Sequence, residues 1–325
     1  MPPLLEIQDL VVDYLTPHRV IRAVDNVTLD VQAGEIVGLA GESGCGKSTT
    51  AHAVLRLLRP PAEIAGGKVL FHGEDILLLD GKALRSCRWR DISIVFQSAM
   101  NALNPVISVS EQFLDTLKAH QKISKRDAML RAGELMDLVG IDPGRLSSFP
   151  HELSGGMRQR VVIALALALQ PELIIMDEPT TALDVVVQRD ILQQIEVLQK
   201  KLNFAVLFIT HDLSLLVEFS DRIGIMYAGK IIEFAPAQDL FLNPRHPYTV
   251  GLMESFPSLT GERRALKGIP GSPPDLGAPP SGCRFNPRCP RVMDICRRIE
   301  PELQEVASQH RVACHLYTET TKADA

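Results

Sequence analysis

Residues 41–48 read Gly-Glu-Ser-Gly-Cys-Gly-Lys-Ser and fit the pattern G-x-x-x-x-G-K-[ST] of a phosphate-binding loop. Glycines let the backbone of such a loop turn tightly, so that successive N–H groups point inward at phosphate oxygens. The ammonium of Lys47 reaches the β- and γ-phosphates, and the hydroxyl of Ser48 is placed to ligate Mg²⁺. The residues predicted to contact a nucleotide here are Gly41, Ser43, Gly44, Cys45, Gly46, Lys47, Ser48 and Thr49.

The segments on either side of this loop have the character that nucleotide binding requires. Glu35–Ala40 is a short apolar run that predicts a buried strand, and Ser48–Leu58 predicts a helix whose N-terminus faces the phosphates. Cys45 occupies a variable position of the loop, where a small side chain that fits is a better interpretation than a redox role. The sequence therefore predicts nucleotide binding rather than a glycine loop without function.

Length and charge limit the classes of protein to which the chain can belong. Its 325 residues suffice for one large core and a smaller appendage. The net charge of −5 provides no basic field for nucleic acid and no polybasic patch for lipid. The longest apolar run, Val161–Leu169, is far shorter than the roughly 20 residues that span a bilayer, and the N-terminus lacks the pattern of a signal peptide. We expect a cytosolic chain that reaches a membrane only by docking on embedded partners.

Two acidic residues follow a second predicted buried strand. Leu173–Met176 is apolar and is followed by Asp177 and Glu178, so both acids lie where an open α/β sheet presents its ligand site. Asp177 is predicted to hold the Mg²⁺ shell through water, and Glu178 to polarise the attacking water. In isolation, two acids at a solvated turn would be the simpler interpretation; beside a phosphate loop, we favour the catalytic one.

The segment Leu153–Met157 (LSGGM) predicts a further helix N-terminus. Ser154, Gly155 and Gly156 would leave backbone N–H groups and a helix dipole that favour an anion. The interpretation from the residues alone is a second phosphate site; a simple serine N-cap with glycines is the alternative.

This segment resembles the signature motif of ABC-transporter ATPases, although Met157 stands where that family usually has glutamine. The resemblance implies that Ser154, Gly155 and Gly156 face the γ-phosphate bound by a partner subunit. Two subunits would then form a head-to-tail dimer around two nucleotides.

The same resemblance assigns roles to residues elsewhere in the chain. Gln97 matches the Q-loop glutamine, which contacts Mg²⁺ and senses the membrane domains, and His211 matches the switch histidine at the γ-phosphate. Tyr14 matches the aromatic residue that stacks on adenine, a task that needs only a ring face. The D-loop would be Ala182-Leu183-Asp184. Because Glu178 and His211 are both present, we expect a site that is competent for hydrolysis.

Two C-terminal motifs narrow the resemblance. Asn243–Thr249 (NPRHPYT) and Cys283–Pro290 (CRFNPRCP) are similar to motifs in the ATP-binding subunits of bacterial and archaeal dipeptide and oligopeptide importers. The similarity runs from Leu4 to about Tyr317. One departure is Ser98-Ala99-Met100, where the family usually has an acidic residue and proline before methionine in a stretch expected to contact the permease.

The resemblance implies an α/β fold: a P-loop NTPase ABC nucleotide-binding domain followed by an irregular C-terminal metal-binding extension. The domain would have a mixed core sheet with helices, an antiparallel β subdomain and a helical signature subdomain. We assign the domain to residues 1–235, with the helical subdomain at about 98–165. Proline pairs make residues 236–317 turn-rich, and residues 318–325 form a flexible tail.

Four cysteines near the C-terminus predict a metal site. Disulfides are rare in cytosolic chains, so a cysteine cluster is first interpreted as metal-binding. The spacing contains no C-x2-C pair, which weakens the case for zinc, whereas four thiolates suit an iron–sulfur cluster. Zinc, with His310 or His315 as a ligand, and free thiols are the alternatives. The importer resemblance implies a [4Fe–4S] cluster on Cys283, Cys289, Cys296 and Cys314.

The predicted function is that of an ATP-hydrolysing subunit that energises an importer, with di- or oligopeptides as solute. Its partners would be a second homologous ATPase subunit in a heterodimer, two transmembrane permeases and an extracytoplasmic solute-binding protein, with no nucleic acid. It would work as a peripheral protein at the cytoplasmic face of the membrane. An importer of oligosaccharide, opine or nickel would have the same features, because this subunit does not contact the solute. A soluble ABC ATPase of repair or translation is disfavoured by the single cassette and the absence of a heptad insertion or basic surface.

Overall fold

The computed structural model describes residues 2–97, 102–180, 184–255 and 268–318. The chain divides into two compact units, which we describe separately. Unit 1 comprises Met1–Asp30, Ile36–Leu77 and Ile209–Ala325, and unit 2 comprises Val31–Glu35 and Leu78–Phe208.

Strands and helices alternate over most of the described chain, as an α/β fold requires. The strands are β1 (Leu5–Leu15), β2 (Val20–Val31), β3 (Ile36–Ala40), β4 (Ala62–Phe71), β5 (Glu74–Asp75), β6 (Ile92–Val95), β7 (Leu173–Asp177), β8 (Ala205–Ile209), β9 (Arg222–Tyr227), β10 (Lys230–Pro236), β11 (Gln304–Ala307) and β12 (His310–Val312). The α-helices are α1 (Lys47–Val54), α2 (Gly81–Cys87), α3 (Val109–His120), α4 (Lys125–Leu138), α5 (Gly155–Ala166), α6 (Val185–Leu202), α7 (Leu213–Phe219), α8 (Ala237–Leu242) and α9 (Pro247–Glu254).

Unit 1 contains an antiparallel sheet with the strand order β2-β1-β4-β5. Along β1, buried positions alternate with more exposed ones over much of the strand, as expected for a sheet with one face on a core. Tyr14, near the end of this strand, pairs with Ala62 of β4. The sheet therefore presents the predicted adenine-stacking residue at one end of a rigid strand.

A second set of strands in unit 1 has the order β11-β12-β10-β9-β3. β3 and β9 are parallel, with Leu39 opposite Gly224, whereas β9, β10, β12 and β11 follow one another antiparallel. Every residue of β3 is buried, which explains its uninterrupted apolar sequence. The phosphate loop thus leaves a strand that is fixed inside the core.

The C-terminal segment is more regular than the proline-rich sequence predicts. Its helices α8 and α9 are short, as expected, but β11 and β12 form a hairpin that pairs with β10. The hairpin strands have only four and three residues and carry charged side chains, so they give no apolar run that sequence reasoning could detect.

Unit 2 combines strands in the order β8-β7-β6 with the helices α2 to α6. β6 and β7 are parallel, with Ile94 opposite Ile175, and both are fully buried. Helices α3, α4 and α5 pack on one another through apolar faces that include Phe113, Leu117 and Leu135. Helices α3 and α4 lie within the range of about 98–165 that we assigned to a helical subdomain, and α5 ends one residue beyond it.

Side-chain caps explain where several helices begin. At α3, Ser108 accepts a hydrogen bond from the N–H of Glu111 while the Glu111 carboxylate accepts from the N–H of Ser108, which is a complete capping box.

The C-terminal end of α1 differs from its prediction, because the helix stops at Val54, four residues before the expected end. Arg56 there adopts a left-handed conformation, with φ of 51°, which an α-helix cannot continue.

Candidate functional site

The phosphate loop in unit 1 joins β3 to α1, as its sequence predicts. At Gly41 (φ 149°) a Cβ atom would lie 2.1 Å from the carbonyl oxygen of Met226, and at Gly46 (φ 108°) it would lie 2.3 Å from that of Ala23. No side chain fits at those distances, and both φ values are unfavourable for L-residues with a side chain. The two glycines are therefore required by close backbone approach as well as by conformation.

Lys47 is the first residue of α1, and only 5% of it is exposed. Its ammonium donates to the carbonyl oxygens of Gly41 (2.7 Å) and Glu42 (3.1 Å), so the side chain folds back along the loop. Gly46 at the N-cap has no side chain to accept from the first N–H groups of α1. Backbone donors and one buried cation therefore lie together, an arrangement that suits a polyphosphate.

Tyr14 lies close to the start of the same helix. Its hydroxyl is 3.3 Å from the hydroxyl of Thr49, and its ring is half-buried. The structure therefore brings Tyr14 together with the loop. Ser43 and Gly44 are exposed at the loop tip, and burial raises the pKa of the Cys45 thiol, which agrees with its interpretation as a packing residue.

Glu42, at a variable position of the loop, is held by two residues that sequence reasoning did not assign to the site. Its N–H donates to the hydroxyl oxygen of Tyr248 (3.0 Å). Its carboxylate accepts two hydrogen bonds from the guanidinium of Arg288, at 2.8 and 2.9 Å. The hydrogen bond with Glu42 is the main reason why the pKa of Arg288 is raised. Both residues lie inside the two C-terminal motifs that mark the importer resemblance, which was the signal available.

An aromatic cluster supports these contacts. The ring of Tyr248 lies 4.6 Å from that of Tyr227 and 5.4 Å from that of Phe285, measured between centroids. His246 is buried beside Phe285 and caps α9, because its Nδ1 accepts from the N–H of Tyr248 (3.0 Å). The residues His246, Pro247 and Tyr248, which we call the HPY motif, thus begin α9 and direct Tyr248 toward the phosphate loop.

A buried carboxylate fixes the backbone in front of this motif. Glu233 of β10 accepts from the N–H groups of Arg245 (2.7 Å) and His246 (2.9 Å). Nε2 of His310 in β12 lies 2.7 Å from the same carboxylate. Burial lowers the pKa of His246 to about 4, although the charge of Glu233 opposes this shift.

In unit 2 the predicted catalytic acid and the Q-loop glutamine are in contact. Asp177 ends β7 and is buried, and Glu178 follows it with φ of 46°. Nε2 of Gln97, just beyond β6, donates to Oε2 of Glu178 at 2.9 Å. A left-handed glutamate is uncommon, and such conformations concentrate at functional sites.

The signature segment begins a helix, as its sequence predicts. Ser154 is the N-cap of α5, and its Oγ accepts from the N–H of Met157 at 3.3 Å. Gly155 and Gly156 form the first turn, and a Cβ on Gly156 would lie 3.0 Å from Cγ1 of Val187. The serine N-cap is therefore confirmed, while the phosphate contact across a dimer stays a prediction.

His211 belongs to unit 1 and lies in the exposed turn between β8 and α7. The residues on both sides of His211 fix this turn, because Asp212 caps α7 and the N–H of Asp212 donates to the hydroxyl of Thr210 at 3.1 Å. Ala182 and Leu183 of the predicted D-loop and the departure at Ser98-Ala99-Met100 lie outside the described residues. Asp184 is described and caps α6.

None of the six cysteines, all of which lie in the described ranges, forms a disulfide bond. Burial raises the pKa of Cys283 to about 12, and the neighbouring charges of Cys296, Cys314 and Cys289 raise it further. The same two causes raise the pKa of Cys314 to about 11. The four C-terminal cysteines therefore lie close enough to influence one another.

The structure does not support the predicted metal-binding character of the C-terminal extension. Within the described ranges, no group of three or more His, Cys, Asp or Glu side chains is placed to hold a metal ion. The two histidines considered as zinc ligands have other partners at Nε2, which lies 2.7 Å from the Glu233 carboxylate in His310 and 2.8 Å from the Ile299 carbonyl oxygen in His315. Among the helices of the described residues, each is too short or too polar to cross a membrane.

Comparison with known proteins places these features in one family. The model for ABC transporters matches residues 24–181, and the model for the C-terminal region of oligopeptide/dipeptide transporters matches residues 232–296. A dipeptide transport ATP-binding protein of Bacillus subtilis is 44% identical over 319 residues, covering 97% of this chain and 95% of its own. An oligopeptide transport ATP-binding protein of the same organism is 45% identical, covering 95% and 87%.

Similarity extends to solved structures. The ATP-binding cassette MJ0796, solved as a dimer in a post-hydrolysis state with ADP and phosphate, is 29% identical with a TM-score of 0.64. The match covers 72% of this chain and 98% of that one.

We predict that Lys47→Ala weakens ATP binding, because it removes a cation from the loop while the glycine conformation remains. Loss of a charge-assisted hydrogen bond of about 2 kcal/mol would raise the Kd for ATP at least about tenfold. Titration calorimetry of the full chain measures the change. Lys82→Ala, on an exposed part of α2, is the control and should bind as wild type. Equal affinity of the Lys47→Ala variant and wild type would show that this loop is not the nucleotide site.

The buried histidine gives a pH prediction. A pKa lowered from 6.5 to about 4 means that the unfolded chain binds a proton between these pH values while the folded chain does not. The free energy of unfolding should therefore fall as the pH is lowered, by about 2 kcal/mol from this group between pH 7 and 5. Urea unfolding at both pH values measures it. In His246→Asn, which keeps a capping acceptor without a titrating ring, the loss should be smaller; an equal loss would contradict the assignment.

Proposed function

Since this chain belongs to the ATP-binding subunits of dipeptide and oligopeptide ABC transporters, we propose that it hydrolyses ATP to drive the import of di- or oligopeptides. It is an ABC ATPase with the P-loop NTPase fold of mixed sheet and helices. The observation that carries the proposal is the phosphate loop of unit 1, in which the ammonium of the buried Lys47 donates to loop carbonyls. In unit 2, taken by itself, Glu178 is held by the Q-loop glutamine. The solute class is taken from the relatives, which are named for dipeptide and oligopeptide transport.

We assign the binding of ATP to the phosphate loop and to Tyr14. The N–H groups of the loop and the ammonium of Lys47 would neutralise the β- and γ-phosphates, and the half-buried ring of Tyr14 offers a face for adenine. His211 would contact the γ-phosphate from its exposed turn. Tyr14 is supported by its position beside Thr49, and His211 by the anchored turn in which it lies.

The donor set also fits Mg²⁺, which prefers oxygen ligands. Ser48 offers a hydroxyl, Asp177 a carboxylate that would act through water, and Gln97 its Oε1, because Nε2 is already bonded to Glu178. Bound with ATP, the ion would neutralise charge that develops on the β- and γ-phosphate oxygens.

Glu178 is the proposed group that activates water. Gln97 donates to Oε2 and so orients the carboxylate that would accept a hydrogen bond from the attacking water. The water oxygen would attack the γ-phosphorus and pass a proton to the Glu178 carboxylate, while the bond from that phosphorus to the β–γ bridging oxygen breaks, which gives ADP and phosphate.

We propose that two such subunits assemble head to tail, so that Ser154, Gly155 and Gly156 of one subunit contact the γ-phosphate bound by the other. The proposal is supported by the dimeric form of the MJ0796 cassette and by the N-terminus of α5, whose backbone donors suit an anion. A second homologous ATPase would make the pair a heterodimer. Closure of the pair around ATP would change the conformation of two permeases, to which a solute-binding protein delivers the solute. This chain would lie at the cytoplasmic face of the membrane.

We further propose that the C-terminal cysteines hold a [4Fe–4S] cluster. Support comes from their chemistry, which is four thiols near one another with no cysteine in a disulfide. A four-iron cluster lies between its ligands and separates them more than one ion would, and Nε2 of each histidine that a zinc site would recruit is already bonded elsewhere. The cluster would staple a segment with little apolar core. The proposed ligands are Cys283, Cys289, Cys296 and Cys314.

We predict that Glu178→Gln binds ATP as wild type but loses turnover, because the amide cannot polarise water while all phosphate contacts remain. Removing such a group should lower the rate roughly a thousandfold. Steady-state ATPase activity of the assembled transporter is the measurement. Glu172→Gln, the same change just before β7 begins, is the control and should keep full activity. Activity of the Glu178→Gln transporter within about tenfold of wild type would contradict the role.

Protein prepared without oxygen should be brown and contain about four irons per chain. Each serine variant of the four C-terminal cysteines should lose colour and iron, because a ligand is missing. Cys87→Ser, at the end of α2 in unit 2, removes an unrelated buried thiol and should keep both. Colourless protein with about one zinc per chain would show that the cysteines bind zinc and not an iron–sulfur cluster.

A further inference from the structure

Glu42 presents an electrostatic problem inside the phosphate loop. Its carboxylate lies on a loop that has to attract a triphosphate, and its side chain is only 25% exposed, so water screens it poorly. An uncompensated negative charge at this position would repel the phosphates. The loop therefore needs a cation beside Glu42 that is not used by the nucleotide.

Arg288 is that cation. Its guanidinium makes two parallel hydrogen bonds to the two carboxylate oxygens of Glu42, and only 6% of its side chain is exposed. Its Nε donates to the carbonyl oxygen of Pro270 (2.8 Å), and Nη1 donates to the hydroxyl of Tyr227 (3.3 Å). A forked pair of this kind fixes geometry as well as charge, which a lysine could not do.

Tyr248 controls the main chain at the same residue. The peptide between Gly41 and Glu42 donates its N–H to Tyr248, and its carbonyl oxygen accepts from the ammonium of Lys47. In a trans peptide these two groups point in opposite directions. Tyr248, which is fully buried, therefore turns the Gly41 carbonyl toward Lys47 from the far side of the peptide.

We propose that Tyr248 and Arg288 are positioning residues of the nucleotide site, through which the C-terminal segment sets the affinity of the phosphate loop for ATP. Arg288 neutralises Glu42, and Tyr248 orients the peptide that faces Lys47. This inference rests on the nucleotide site proposed above. It gives the C-terminal motifs NPRHPYT and CRFNPRCP a direct task in ATP binding.

The test is a double-mutant cycle on the full chain that removes the two charges singly and together, with the Kd for Mg-ATP measured by calorimetry and the melting temperature measured beside it. Arg288→Gln should raise the Kd about tenfold or more, because the Glu42 carboxylate is left unpaired beside the phosphates. Adding Glu42→Gln to that variant should return the Kd to within about threefold of the Glu42→Gln variant alone, since the repelling charge is gone. Arg288→Lys, which keeps charge without the fork, should give an intermediate Kd.

Two further variants separate positioning from folding. Tyr248→Phe removes only the hydroxyl and should weaken ATP binding while the aromatic cluster keeps the chain folded. Arg311→Gln is the matched control, because Arg311 also pairs with an aspartate, Asp30, and lies over the ring of Phe234 without contact to the loop. Its Kd should equal that of wild type.

A lower melting temperature with unchanged Kd in both Arg288→Gln and Tyr248→Phe would overturn the inference, because the contacts would then be purely structural. If Arg288→Gln fails to fold, the double variant with Glu42→Gln and the Tyr248→Phe variant decide the question. Failure of the proposed function has a different signature, namely that wild type and Lys47→Ala show the same affinity for ATP.

Discussion

The peptide between Gly41 and Glu42 is the constraint on which the site in unit 1 depends. Its carbonyl oxygen receives the ammonium of Lys47, and its N–H is held by Tyr248. Only glycine permits this orientation at position 41, because the Cβ of any other residue would lie 2.1 Å from a backbone oxygen. A lysine that is buried in a loop must be oriented by fixed groups, and here one of these comes from a residue 206 positions along the chain. The geometry of the loop is therefore a property of unit 1 as a whole, including its C-terminal segment.

The HPY motif illustrates how such a distant contact is built from local rules. A neutral, buried His246 caps α9, and the proline that follows fits the first helical position. The buried Glu233 fixes the two N–H groups that precede the helix. Because the start of α9 is fixed in this way, the hydroxyl of Tyr248, the second residue of the helix, reaches the N–H of Glu42. The motif and the phosphate loop, which lie in the regions matched by the two family models, are therefore structurally coupled within unit 1.

Sequence reasoning found the parts of the fold that local patterns control. The loop between β3 and α1, the acids at the end of β7 and the serine cap of α5 each follow from a few adjacent residues, and the structure places all of them on the expected elements. The hairpin of β11 and β12 was missed because its short, charged strands have no periodicity. The pair of Glu42 and Arg288 was missed because its members are 246 residues apart and neither sits at a defining position of the phosphate-loop pattern.

A structure of the Glu178→Gln chain with Mg-ATP bound tests the central claim most directly. The account predicts that the γ-phosphate lies on the loop and that Nζ of Lys47 donates to phosphate oxygens while it keeps its hydrogen bond to the carbonyl oxygen of Gly41. It also predicts that the fork between Arg288 and Glu42 and the hydrogen bond to Tyr248 remain. Nucleotide bound away from residues 41–48, or bound there with Arg288 and Tyr248 released from Glu42, would contradict it.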